Sequence, residues 1–245
     1  DLTGFSELLQ DLFKERFAGL LHSINDETGD RTLATTGKSQ LIAGDDKIVE
    51  QLLGLNFEIS MKSFFQTNPK SAEKLYTKVI DYALENKETI DNSVVMDLFC
   101  GTGTIGQILA SRSTNTKIIG VDIVASAVED AIKNAERNNI HGLQFYTADV
   151  GKFLTKHPEY KNKIRTIILD PARAGIAPKT LLKIININAE RIVYVSCNPA
   201  TQARDTEEMR NYGYELKKIS LVDQFPHTSH IETVVLFEKT PVNTF

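Results

Sequence analysis

From Val94 onward, short apolar, β-branched runs alternate with amphipathic stretches of helical length. Runs at 94–99, 117–122, 143–146, 166–170, 191–196, 215–221 and 233–238 predict strands; stretches at 103–113, 125–138, 179–186 and 201–212 predict helices. Within 125–138, Val128, Ala131, Ile132 and Ala135 share one face at the i, i+3, i+4, i+7 spacing of a docked helix. Strands this apolar leave no face for water, so a mostly parallel sheet covered on both sides is expected. No helix separates the last two runs, which predicts that they pair antiparallel. An open sheet of this kind takes ligands outside the carboxyl ends of its strands.

The first third reads differently. An amphipathic opening (Phe5, Leu8, Leu9, Leu12, Phe13) precedes polar, turn-rich sequence. Apolar runs at 41–43 and 48–53 flank Gly44-Asp45-Asp46 and predict a hairpin. A further strand is expected at 57–61, and a helix at 69–86 leads into the main domain. The expected division is a small N-terminal α+β appendage over 1–68, part of a truncated central domain, and a Rossmann-like domain over 69–245.

Composition narrows the class. The chain has 245 residues, 41% hydrophobic and 24% charged, with two cysteines, which excludes collagen-like, disulfide-scaffold and low-complexity proteins. No apolar run approaches the ~18 to 20 residues of a membrane span. Cys100 and Cys197 stand in unlike contexts, so a reducing compartment, the cytoplasm, is expected. A chain opening Asp1-Leu2-Thr3 reads as a fragment of a longer protein. The net charge of -4 argues against a nucleic-acid partner until it is divided. Residues 1–91 carry 10 Lys+Arg against 16 Asp+Glu, whereas 92–245 carry 18 against 16. The acid lies in the appendage.

Asp97-Leu-Phe-Cys-Gly101-Thr-Gly103-Thr104-Ile-Gly106 is strand, glycine turn and helix. Its glycines satisfy G-x-G-x-x-G, and Asp122 ends the next strand, as in a dinucleotide site. The glycines let backbone approach a ligand, which suits a nucleoside as well as a pyrophosphate. Asp97 would repel a pyrophosphate but could position a cationic amino-acid group. Asp149, after the following strand, could hold an adenine amino group. These details tilt the reading towards S-adenosylmethionine and leave a nicotinamide cofactor as the alternative.

Asp170-Pro-Ala-Arg173 closes the fourth strand with an acid facing the crevice. Arg173 stands where amino-methylating enzymes usually place an aromatic, which disfavours methylation of an exocyclic amine. Cys197 follows a buried-looking strand and precedes a helix, whose N-terminus is expected to lower its pKa and make it a nucleophile. Cys100 reads as a small filler. Glu232 is an odd acid with which to begin an apolar strand unless it faces the site. His227, His230 and Glu232 are too few for a metal centre, and no metal is expected.

Taken together, Ser63-Phe-Phe-Gln66-Thr-Asn68-Pro69, Asp97-Leu-Phe-Cys-Gly-Thr-Gly103, Asp170-Pro-Ala-Arg173, Ser196-Cys-Asn-Pro199 and Phe225-Pro-His-Thr-Ser-His-Ile-Glu232 resemble the RNA (uracil-5-)-methyltransferase family. The resemblance implies a Rossmann-like, S-adenosylmethionine-dependent α/β methyltransferase domain that uses Cys197 as nucleophile and Glu232 as base. Gln66, Phe99, Thr104, Asp122, Asp149 and Asp170 match positions that contact the cofactor in the family, alongside Gly101 and Gly103 of the turn. Gln66 or Asp170 would hydrogen-bond the uracil edge, Phe64 or Phe65 would stack on the base, and Arg173 would meet a phosphate. Asp170-Pro-Ala-Arg departs from the commoner Asp-Pro-Pro-Arg of the family. Members often carry an N-terminal RNA-binding barrel or a four-cysteine iron–sulfur site, and neither pattern occurs in this chain.

The chemistry accounts for the residue types. Thiolate addition to C6 of uracil makes C5 nucleophilic, and a carboxylate must then remove the C5 proton. The base has to leave its stack to reach a crevice. The expected partner is RNA, ribosomal 23S RNA before transfer RNA, acted on by a monomer. A nicotinamide oxidoreductase and a non-catalytic RNA-binding module are the alternatives.

Overall fold

The central sheet has seven strands in the order β10-β11-β9-β8-β5-β6-β7. They are β5 (Val94–Leu98), β6 (Lys117–Asp122), β7 (Leu143–Thr147), β8 (Ile164–Leu169), β9 (Arg191–Ser196), β10 (Tyr214–Val222) and β11 (Glu232–Lys239). β5 to β9 run parallel; β11 inserts antiparallel between β9 and β10. The computed structural model describes residues 2–24, 39–60, 63–84, 93–113 and 115–240.

Both faces of the sheet are buried, which is why its strands read as unbroken apolar runs. Successive residues feed opposite cores: Val95, Ile118, Ile168, Val193 and Val234 pack on one side, and Met96, Ile119, Ile167, Tyr194 and Val235 on the other. The first layer is closed by α2 (Pro69–Leu84) and α3 (Thr104–Arg112), with α4 (Ala125–Arg137) lying against β6 and β7. The second is closed by α5 (Val150–Lys156), α6 (Pro178–Asn186) and α7 (Pro199–Asn211). The period-3.6 pattern predicted every one of these helices except α5, whose seven residues are too short to show a period.

The N-terminal region departs from the expected pairing. α1 (Leu2–Phe13) is helical, with Phe5, Leu8 and Leu12 exposed. β2 (Ser39–Gly44) pairs with β1 (Gly19–Ser23), and β3 (Lys47–Leu52) pairs with β4 (Leu55–Ser60), so the predicted hairpin between β2 and β3 does not form. The reason is turn chemistry. Leu53 and Gly54 both have positive φ (50° and 86°), the requirement of a tight two-residue hairpin turn, whereas Asp45 gives its N–H to Ala18 and joins β1. Gly19 and Gly44 are forced there, since a Cβ on Gly19 would lie 1.9 Å from the Asp45 carbonyl oxygen. The expected ends at Met61 and Asn86 lie outside the described residues. Among the described residues no helix is long and apolar enough to cross a membrane.

Candidate active site

The singled-out residues gather at one edge. Asp97 is the last residue but one of β5, Asp122 ends β6, and Asp149, Asp170 and Cys197 follow β7, β8 and β9. Glu232 begins β11, which runs the other way and so presents its first residue at the same edge. Register makes the pairing specific. Thr233 lies opposite Ser196, so Glu232 and Cys197 are the next residues along the two facing segments, and Glu232 is near enough to raise the Cys197 thiol. In the same way Leu98 opposite Leu169 brings the glycine turn beside Asp170, whose N–H donates to the Leu98 carbonyl at 3.4 Å.

The turn after β5 is built largely from backbone. Phe99, Gly101 and Gly103 all have positive φ (63°, 52° and 68°). A Cβ on Gly103 would meet the Phe145 ring at 2.6 Å, so this position admits only glycine, while Gly101 faces open space where a ligand could approach. Asp122 accepts from Gly101 N–H at 2.9 Å and from Val124 N–H at 2.8 Å, which fixes its carboxylate at the rim. Asp97 is fully buried; Oδ2 accepts from Gly106 N–H at 2.9 Å, and Oδ1 has no partner among the described residues. Burial pushes its carboxyl up to about 7 against that hydrogen bond, with Asp122 adding to the rise. Thr104, also buried, opens α3 and lies 3.1 Å from Thr102 through their hydroxyls. Asp149 caps α5, accepting from Lys152 N–H at 2.8 Å. Cys100 is a packed thiol pushed well up by burial, in keeping with its reading as filler.

The thiol side behaves otherwise. The expected lowering of the Cys197 pKa is not found: burial raises it, and Glu232 and Asp170 add to the rise while Arg173 opposes it. The helix that should have favoured a thiolate is already capped. Asn198 accepts from Ala200 N–H at 3.2 Å, and its own N–H donates to Ser196 Oγ at 3.0 Å. Burial likewise raises Glu232, which is 4% exposed. Asp170 is pushed up to about 8, first by burial and then by Glu232 and Asp97. Arg173 is exposed and reaches His230 Nδ1 at 3.3 Å. Its carbonyl accepts from Asn198 Nδ2 at 3.2 Å, tying the loop after β8 to the cysteine turn.

The segment before α2 completes the edge. Gln66 is buried, and Phe65 packs against Phe57 with ring centroids 6.0 Å apart, whereas Phe64 is 75% exposed. Phe65 and Gln66 help to line a cavity of about 460 Å³ shared with Leu21, Asp46, Ile59 and Ser63. Neither Cys197 nor the glycine turn is among the residues that line it. Two buried polar groups that the sequence reading passed over hold this segment. Asp130 of α4 accepts hydrogen bonds from Ser60 (2.9 Å) and Ser63. Asn68 and Gln224 bond reciprocally through side-chain amide and backbone carbonyl, both at 3.2 Å, joining the segment to the loop before Glu232. Nothing local in the sequence marks either Asp130 or Gln224 as buried. Tyr76 of α2 was also missed. It is buried where Asp170, Asp97 and Glu232 all bear on it and raise its phenol further.

A doubly covered sheet with one reversed strand, a glycine turn and an acid at the end of each neighbouring strand defines the Rossmann-like fold of S-adenosylmethionine-dependent methyltransferases. The sequence profile of the tRNA (Uracil-5-)-methyltransferase family matches residues 7–240, and the chain belongs to that family. It is 45% identical over 240 residues to an uncharacterized RNA methyltransferase of Clostridium acetobutylicum, covering 98% of this chain and 50% of that protein. A Clostridium tetani RNA methyltransferase is 42% identical over 236 residues, covering 96% of this chain and 49% of the relative. The chain thus spans about half the length of these relatives. Among solved structures, Pyrococcus abyssi tRNA (uracil-54, C5)-methyltransferase in complex with S-adenosyl-L-homocysteine superposes with a TM-score of 0.71 at 32% identity, over 90% of this chain and 51% of that one. M. jannaschii TYW2 in complex with AdoMet shares the fold, with a TM-score of 0.58 at 16% identity over 91% of this chain and 94% of its own.

Proposed function

We propose that the chain carries the chemistry of an S-adenosylmethionine-dependent RNA methyltransferase acting on C5 of a uridine, with Cys197 as nucleophile and Glu232 as base. The observation that supports this reading is the β9–β11 register, in which Thr233 faces Ser196 so that Glu232 and Cys197 come next at the same edge, together with the influence of Glu232 on the thiol. A thiol and a carboxylate side by side are what addition at C6 and proton removal at C5 require.

The residues of the first three strand ends fit the cofactor. Gly101 leaves room for close approach, Asp122 offers a fixed carboxylate to ribose hydroxyls, and the unpartnered Oδ1 of Asp97 is an acceptor with nothing yet to accept. Phe99, Gly103, Thr104, Asp149 and Gln66 complete that wall. When bound, S-adenosylmethionine supplies an electrophilic methyl group.

On the thiol side, Cys197 Sγ, partly open to solvent, passes its proton to water and adds to C6, and the C5=C6 electrons move through C4 onto O4 as an enolate. Asp170, largely protonated near neutral pH, has an O–H to donate to that edge. The positive charge of Arg173 counters the burial that otherwise keeps the thiol protonated, and its exposed head can also meet a phosphate. After C5 has gained its methyl group, Glu232 takes the C5 proton. The electrons re-form C5=C6 as the C6–S bond breaks, and Cys197 leaves as thiolate. Phe64 is the freer of the two aromatics to stack on the extruded base, because Phe65 already packs on Phe57. In this reading residues 69–245 carry the chemistry, and 1–68 belong to the approach of the RNA apart from Gln66, which joins the cofactor wall, in a protein working in the cytoplasm.

The test is RNA containing 5-fluorouridine, from which the C5 substituent cannot leave as a proton, incubated with S-adenosylmethionine. A denaturation-resistant protein–RNA adduct is expected, and an adduct that persists in Cys197→Ala overturns the assigned nucleophile. Calorimetric titration with S-adenosylmethionine and NAD(H) tests the cofactor, and tight binding of NAD(H) alone would overturn it. The target RNA is proposed as 23S ribosomal RNA, on the resemblance of 97–107 and 122–139 to ribosomal-RNA members of the family; the Pyrococcus abyssi neighbour is a transfer-RNA enzyme. Mapping 5-methyluridine in both RNAs from a deletion strain decides between them.

A further inference from the structure

The sheet edge that carries the thiol is held by a pair of buried polar side chains on α7 that no part of the chemistry above uses. Asp205 is 2% exposed and Gln202 is 3% exposed, three residues apart on the helix face turned to the sheet. Asp205 Oδ2 accepts from the Tyr194 hydroxyl at 2.8 Å and from Ile176 N–H at 3.1 Å. Tyr194 belongs to β9, the strand that ends at Cys197; Ile176 closes the loop that carries Asp170 and Arg173. Gln202 donates to the Tyr194 carbonyl at 2.9 Å and accepts from the Thr233 hydroxyl at 2.6 Å, and Thr233 is the neighbour of Glu232. Arg204 clamps the remaining oxygen of Asp205 at 2.7 and 2.9 Å and also donates to the Ile176 carbonyl at 3.2 Å. Gly175 has φ +76°, and a Cβ there would lie 2.8 Å from the Arg204 guanidinium and 3.1 Å from Asp205 Oδ2. The loop can therefore dock on this carboxylate only with glycine at that position.

We infer that Asp205 and Gln202 are positioning residues for the uridine methylation proposed above, fixing the Asp170 loop, the Cys197 strand and the Glu232 strand to one another through α7. The inference rests on that reading of the site. Burial makes the arrangement stiff: a charged acceptor with every oxygen occupied, away from water, tolerates little displacement of its donors. The cofactor wall at β5, β6 and β7 shares none of these bonds. Disturbing them should therefore slow the thiol chemistry while cofactor binding stays intact.

The test compares the full-length protein with Asp205→Asn, which turns one acceptor into a donor facing donors, and with the milder Tyr194→Phe, which removes one hydroxyl and keeps the ring. Three quantities are read: folded fraction by thermal melting, S-adenosylmethionine affinity by calorimetry, and the rate of adduct formation with 5-fluorouridine RNA. A displacement near 1 Å costs on the order of a hundredfold in rate. The expected result is a loss of about a hundredfold for Asp205→Asn and about tenfold for Tyr194→Phe, with cofactor affinity within about threefold of the parent. Adduct rates within about threefold of the parent in both variants would overturn the inference, and so would cofactor affinity that falls in step with the rate. If Asp205→Asn does not fold, Tyr194→Phe decides alone by the same criteria. A parent protein that forms no adduct refutes the proposed function itself, a result distinct from normal adduct formation in both variants.

Discussion

The two halves of the sheet edge are built by different means. At β5, β6 and β7 the site is made from one strand, its glycine turn and the acids that end the next strands, and the bonds that shape it run mostly to backbone N–H groups close in sequence. At β8, β9 and β11 the thiol, the acids and the arginine come from segments tens of residues apart, and buried side chains tie them together. In the function proposed above, the first half serves as a wall for a ligand of fixed shape, and the second as a set of reacting groups whose mutual distances depend on α7 and the loops around it. Binding and chemistry should therefore be separable by mutation.

The largest separation is expected at the thiol. Cys197→Ala should lower methylation by at least about a thousandfold while leaving S-adenosylmethionine affinity unchanged by calorimetry. Glu232→Gln should instead let the adduct form and stall it, so that a covalent protein–RNA species accumulates with unmodified uridine RNA. Next comes a pH effect confined to the cofactor wall. The Asp97 carboxyl is raised to about 7 in the folded protein, so folding takes up a proton between about pH 4 and pH 7. Stability from this group is greatest in acid and falls as pH rises through that window, by about 2–4 kcal/mol. Asp97→Asn should flatten the slope in thermal melts of the cofactor-free protein.

Gly103→Ala puts a methyl group into the Phe145 ring at a backbone angle that resists it, for about 2 kcal/mol of destabilisation. Cofactor affinity should drop, and the alkylation rate of Cys197 should stay near that of the parent; a fall in both would break the division between the halves. The smallest effect is electrostatic. Arg173→Ala removes a cation that opposes the rise in the Cys197 pKa, so iodoacetamide alkylation at neutral pH should slow by about tenfold and recover at alkaline pH. A loss that persists at alkaline pH would mean that Arg173 acts through contact with RNA rather than through the thiol.

Legibility in the sequence followed the same division. The glycine turn, Asp122 and the strands behind them were visible because contiguous residues encode both the element and its chemistry. Cys197 and Glu232 were visible as oddities, a cysteine at a strand end and an acid opening an apolar run. The pKa of Cys197 was misjudged because a local argument, the helix N-terminus, was outweighed by burial and by carboxylates brought in from β8 and β11. The hairpin was misplaced because Gly44-Asp45-Asp46 looks like a turn, yet Leu53-Gly54 has the positive φ angles that close one. Asp205 and Gln202 were overlooked because polar residues that share a helix's buried face with Met209 read in the sequence as solvent-facing positions.

The sequence by itself determined the layers, the ligand edge and the chemical types available there, since strand burial, helix amphipathicity and turn glycines are local properties of the chain. Only the tertiary structure decided which of those groups face one another. It reversed β11 between β9 and β10, set Thr233 opposite Ser196 so that Glu232 and Cys197 follow at one edge, and tied the two strands to Gln202 and Asp205 of α7 through Thr233 and Tyr194. Strand order and register come from the fit of two whole cores, to which residues from every part of the chain contribute at once.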